Sequence, residues 1–182
     1  MKGLIILADG FEDTEAIMTM DILKRAKCIV KSASPNNDLK VTSSYNLSLF
    51  SDIHLNEVSE KDYDFLVIPG GRAVENVLKK NDLVKQLILS FARSKKLIAA
   101  ICAAPSLLIN YGLLENTEYT CFPTYENLAL APLYRNQDVV VTKNIITAKA
   151  MAYTAEFALA IVEKVCSKEV AKQVLLTIRG EK

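Results

Sequence analysis

The sequence predicts an α/β fold built on a mostly parallel sheet with helices on both faces. Three observations carry that expectation. Short β-branched runs alternate with helical patterns along the chain. The runs FLVI (65–68) and LIAAI (97–101) are apolar at every position, as a strand covered on both sides requires. At 182 residues, 51% of them hydrophobic and 24% charged, the chain suits one domain over 1–182 with one sizeable core. No linker, low-complexity tract or internal repeat interrupts it.

The elements follow in order. GLIIL (3–7) is a buried-strand run. Residues 14–25 carry apolar side chains at helical spacing, at Ile17, Met20, Ile22 and Leu23, with Asp13 or Thr14 as the expected cap. A second strand is expected over 29–33. Residues 39–52 alternate weakly among Ser and Asn, the mark of a small hairpin or edge region. FLVI then stops at Pro69-Gly70-Gly71. A helix over 82–94 has Asn81 or Asp82 as its cap, LIAAI is another buried strand, and a helix over 104–111 ends at Gly112. Strands over 139–142 and 145–148 are joined by Lys143-Asn144, and helices over 154–165 and 168–177 close the chain.

Composition narrows the function. Lys and Arg number 22 against 21 for Asp and Glu, a formal net charge of +1, so no basic surface is expected to track nucleic acid. No apolar run reaches the ~18 residues of a membrane span. MKGLIILADGFED lacks a signal-peptide cleavage pattern, so a cytoplasmic location is expected. The four cysteines, Cys28, Cys102, Cys121 and Cys166, form no C-x-x-C pair, and His54 is the single histidine. No metal site is expected. G-x-G-x-x-G and a phosphate loop are both missing, so no cofactor is expected.

In parallel α/β sheets ligands bind beyond the carboxyl ends of the strands. Residues 8–13, 69–72 and 102–105 fit that position. Cys102 falls where a strand runs into a helix with no spacer, so two readings stand. It is a small core hydrophobe, or a nucleophile made thiolate by the free N–H groups of a helix start. Cys28, Cys121 and Cys166 lie in strand or helix patterns and are read as inert. Gly70 and Gly71 form a plain tight turn, or let backbone N–H groups approach a ligand. Asp9, Glu12, Asp13 and Glu15 form a solvated first turn, or one of them points at the thiol as a protonated carboxyl.

The motifs LIILADGFEDTEAI, DFLVIPGGRAVENV, KLIAAICAAPSLL and TAEFALAIVEKV, in this order and spacing, resemble the ThiJ/PfpI superfamily, in its branch of parkinsonism-associated deglycase-like proteins. The resemblance covers nearly the whole chain. It implies a flavodoxin-like three-layer sandwich and a homodimer. It assigns Cys102 as the reactive cysteine and Glu15 as the glutamate that hydrogen-bonds it while protonated. Gly71 and Ala103 match the oxyanion-binding N–H groups, and Gly70 and Phe122 the pocket. Departures accompany it. Phe122 replaces a histidine that precedes a proline in many relatives, and Asp21, which pairs with that histidine there, needs another partner. Ala103 stands where a peptidase branch has histidine, which argues against peptidase activity. Ala150-Met151-Ala152-Tyr153 replaces a Gly-Pro-Gly-Thr loop, and Phe50 replaces a cysteine near the dimer interface.

The function implied is a cysteine-dependent glyoxalase or deglycase acting on methylglyoxal-like small aldehydes or glycated groups. The rivals are a redox-sensing or chaperone-like stress protein using oxidation of Cys102, and a non-catalytic small-molecule binding module.

Overall fold

The computed structural model describes residues 1–128 and 133–181. Among the described residues, nine strands and six α-helices follow in chain order: β1 (Lys2–Ile6), α1 (Asp13–Arg25), β2 (Ile29–Ser34), β3 (Lys40–Thr42), β4 (Ser48–Phe50), β5 (Ile53–His54), β6 (Phe65–Ile68), α2 (Ala73–Asn76), α3 (Asp82–Arg93), β7 (Leu97–Ile101), α4 (Pro105–Asn110), β8 (Val139–Val141), β9 (Ile145–Ala148), α5 (Thr154–Val165) and α6 (Lys168–Arg179). Seven strands form one sheet in the order β5-β2-β1-β6-β7-β9-β8. All neighbours are parallel except β8, which returns antiparallel to β9. This is the α/β, flavodoxin-like architecture that the sequence predicts.

The apolar runs decide the layering. Every residue of β6 and β7 is buried, so both faces of the sheet centre need a cover. Helices α1 and α5 pack against each other and α6 packs on α5, while α3 lies on β6 and β7. Each fully buried aliphatic side chain in these strands contributes roughly 1.5–3 kcal/mol. Helix α1 buries Glu15, Ala16, Thr19, Ile22 and Leu23, one stripe at helical spacing. Ile17, expected inside, is instead exposed.

Most sequence-predicted elements hold within one or two residues. The first strand runs over Lys2–Ile6 rather than 3–7. Glu12, not Asp13 or Thr14, caps α1: its carboxylate accepts the Glu15 N–H at 2.7 Å. The weakly patterned 39–52 region is the β3–β4 hairpin, paired from Lys40–Phe50 to Thr42–Ser48. The two-residue strand β5 and the single-turn helix α2 have no counterpart among the expected elements. Both are too short for periodicity to register.

Candidate active site

The carboxyl ends of β1, β6 and β7, adjacent at the sheet centre, bring three loops together. The β6 loop is locked to the β1 loop by backbone bonds. Glu12 donates its N–H to the Gly70 carbonyl at 3.2 Å, and Ala73 donates to the Gly10 carbonyl at 2.9 Å. Gly71 has φ +88° and sits so close to this loop that a Cβ would lie 2.5 Å from both the Glu12 nitrogen and the Gly10 oxygen. Only glycine fits there. The hairpin buttresses the same loop from outside. Gly10 donates to the Thr42 carbonyl at 2.7 Å, and Ser43 Oγ donates to Asp13 Oδ1 at 2.6 Å.

Cys102 directly follows β7 with φ +63°, a left-handed conformation that costs a non-glycine residue roughly 1–2 kcal/mol. Two bonds hold it: its N–H donates to the Ala148 carbonyl at 2.9 Å, and its carbonyl accepts the Phe122 N–H at 2.8 Å. A strained, pinned backbone at a strand end is a feature of sites rather than of cores. The strain aims the thiol at Glu15, which is fully buried on the first turn of α1. Glu15 Oε2 accepts the Gly70 N–H at 2.7 Å. Gly70 is wedged between the two groups, since a Cβ there would lie 2.8 Å from Cys102 Cβ and 2.8 Å from Glu15 Oε2.

The electrostatics belong to the pair. Burial raises the Glu15 carboxyl to about 7, against the pull of the Gly70 N–H, with the Glu12 charge adding to the rise and the Cys102 hydrogen bond opposing it. Its Oε1 is buried with no hydrogen-bond partner, a cost that protonation relieves. Burial also pushes the Cys102 thiol up, and an ionised Glu15 pushes it further, while the Ala103 and Gly71 N–H groups favour thiolate. This differs from the thiolate expected of a helix start. Helix α4 is only six residues long and opens on Pro105, which has no N–H to offer. Two backbone N–H groups and one shared proton remain to govern the sulfur.

Thus Cys102, Glu15, Gly70, Gly71 and Ala103 meet at one point. Phe122, 39% exposed, is tied to the elbow through its backbone. Tyr125, not singled out from sequence, also reaches the site. Its half-buried phenol is raised by burial, by Glu75 and by Cys102. His54 is not there: it lies on β5, four strands across from β7, about 19 Å away at ordinary strand spacing. Among the described residues no cluster of His, Cys, Asp and Glu could hold a metal ion, and no helix is long and apolar enough to cross a membrane.

Comparison with known proteins identifies the family. The DJ-1/PfpI family pattern matches residues 1–164. The chain belongs to the DJ-1/PfpI family. DJ-1 homolog B of Arabidopsis thaliana is 35% identical over 167 residues, which is 91% of this chain but only 38% of that longer protein. The Drosophila melanogaster protein dj-1beta is 34% identical over 175 residues, 95% of this chain and 94% of its own. A Caenorhabditis elegans relative named glutathione-independent glyoxalase DJR-1.2 is 31% identical over 165 residues, covering 89% of this chain and 87% of that one. The solved structure of oxidized Toxoplasma gondii DJ-1 superposes with a TM-score of 0.93 at 29% identity, over 98% of this chain and 97% of that one. Asp21 pairs with Arg25 at 2.7 Å, one turn along α1. Ala150 is extended, and Met151–Tyr153 form a short 3-10 turn.

Proposed function

We propose that this DJ-1/PfpI chain is a cysteine-dependent enzyme of the glyoxalase or deglycase type, acting on methylglyoxal-like aldehydes or glycated groups. The observation that carries the reading is Cys102 at φ +63° with its sulfur between Glu15 and the N–H groups of Gly71 and Ala103. A relative named as a glyoxalase supports it.

A carboxyl titrating near 7 is matched to general-base work at neutral pH. Glu15 takes the thiol proton as Cys102 sulfur attacks the aldehyde carbon of methylglyoxal. The Gly71 and Ala103 N–H groups hold the developing oxyanion, and Glu15 returns the proton to it, giving a hemithioacetal and a free carboxylate. Glu15 then moves a proton from that carbon to its ketone neighbour, giving a lactoyl thioester. Water hydrolyses the thioester to lactate and restores the thiol. The histidine replaced by Phe122 has no step here. The test is lactate formation without added thiol cofactor. Wild type is expected to turn over with a rate that rises with pH through about 7, as Glu15 ionises. Cys102→Ala is expected to be inactive, and equal rates for the two proteins overturn the reading.

A second reading uses the same sulfur as an oxidation sensor, supported by the likeness to a DJ-1 solved in an oxidized state. Intact mass after mild peroxide tests it. A gain of two oxygens at Cys102 supports sensing, and unselective oxygen uptake by all four cysteines argues against it.

A further inference from the structure

Cys28 and Cys166 are 138 positions apart in the sequence, yet their sulfurs lie 3.7 Å from each other. Neither is bonded to another cysteine. A disulfide needs a separation of about 2.05 Å, so side-chain rotation with a small shift joins them. Their meeting follows from the packing of α1 on α5. Cys28 sits in the corner between α1 and β2, where Lys27 is left-handed at φ +63° and the Cys28 N–H donates to the Leu23 carbonyl at 3.1 Å. Cys166 is the C-cap of α5, its N–H on the Val162 carbonyl at 2.8 Å, and Ser167 immediately caps α6. Both corners are therefore fixed by backbone bonds. The two thiols differ in access: Cys28 is 5% exposed, and Cys166 is exposed.

We propose that Cys28 and Cys166 are a second redox site, an intramolecular dithiol that a peroxide converts to a disulfide. The exposed Cys166 reacts first. Its thiolate sulfur attacks one peroxide oxygen, the O–O bond breaks, and sulfenic acid and hydroxide form. Cys28 sulfur then attacks Cys166 sulfur, the S–S bond forms and the S–O bond breaks. The two thiol protons leave with the two hydroxides as water, so two thiols lose two electrons and one peroxide gains them. Cys28 suits the second role. Burial, with Cys166 adjacent, pushes its thiol up, so it is protonated and hidden while the pair is reduced and gives up its proton as it attacks the sulfenic sulfur. The cross-link would fasten the α1–β2 corner to the α5–α6 corner. These corners lie at the amino end of β2, whereas Cys102 lies beyond the carboxyl end of β7, at the other end of the parallel strands.

The test treats the full chain, and a Cys102→Ala version in parallel, with about one equivalent of hydrogen peroxide. Free thiols are then capped with N-ethylmaleimide, and a non-reducing digest is analysed by mass spectrometry. The expected result is a linked pair of peptides containing Cys28 and Cys166, in both proteins, reversed by dithiothreitol. The melting midpoint of the oxidised chain is expected to rise by roughly 5–10 °C. Cys166→Ser, at an exposed position that tolerates the change, is expected to lose both the link and the rise. The inference is overturned if both thiols stay fully open to the maleimide, if Cys166 keeps its added oxygens, or if it links only to a second molecule.

Discussion

Glu15 is the side chain whose environment departs furthest from that of an ordinary carboxylate. Unfolded, it titrates near 4.5, and in the fold burial holds it at about 7. Between these values the folded state binds a proton that the unfolded state does not. Its contribution to stability is therefore fully present below about pH 4.5 and lost as pH rises through 7. The gap corresponds to about 3 kcal/mol. Glu15→Gln keeps the shape without the charge. The variant is expected to match wild type near pH 4.5 and to exceed its unfolding free energy by about 3 kcal/mol at pH 8, read from urea titrations at both pH values. A difference that does not change with pH would contradict the burial argument. Much of the site was legible at this scale. Cys102, Gly70 and Gly71 each follow a run of apolar residues that can only be a buried strand, which puts them at strand ends. The Glu12 cap was not legible, because Asp13 and Thr14 are the commoner capping types. Nor was the meeting of Cys28 with Cys166, because only the docking of α1 on α5 creates it.

Among the elements, strong periodicity or unbroken apolarity made β6, β7, α3 and α5 readable, and these are the ones that carry the sheet centre. What escaped was short. Strand β5 and helix α2 each span too few residues to repeat a pattern, and they exist because neighbours hold them, as Ala33 and Ser34 hold β5. Helix α4 shows how one residue alters an expectation about charge. Read from Ala104 it offers a run of free N–H groups, but starting at Pro105 it offers fewer and leaves the sulfur to Gly71 and Ala103. Helix α3 gives a direct check on capping. Asn81 Oδ1 accepts the N–H groups of Leu83 and Val84 at 3.0 and 3.1 Å. Asn81→Ala is expected to cost about 1 kcal/mol, seen as a lowered denaturation midpoint with an unchanged slope.

At the scale of the whole molecule, several large apolar side chains face away from the core. Tyr45 and Phe50 on the hairpin are 77% and 72% exposed, and Ile17 and Met18 are exposed on α1, the helix whose Asp13 the hairpin turn grips. Surface of this kind fits an interface, and we propose that it joins two copies of the chain. Phe50→Lys is expected to move the protein from dimer to monomer by light scattering, and a dimer that persists would place the contact elsewhere. The order of the sheet has one more consequence. Because β5 lies at the far edge, the chain's single imidazole stands about 19 Å from the sulfur chemistry at β7. In a proton NMR spectrum the ring of His54 would be a lone, self-assigning signal. Its line would report whether the edge of the sheet is folded, and would stay silent about turnover.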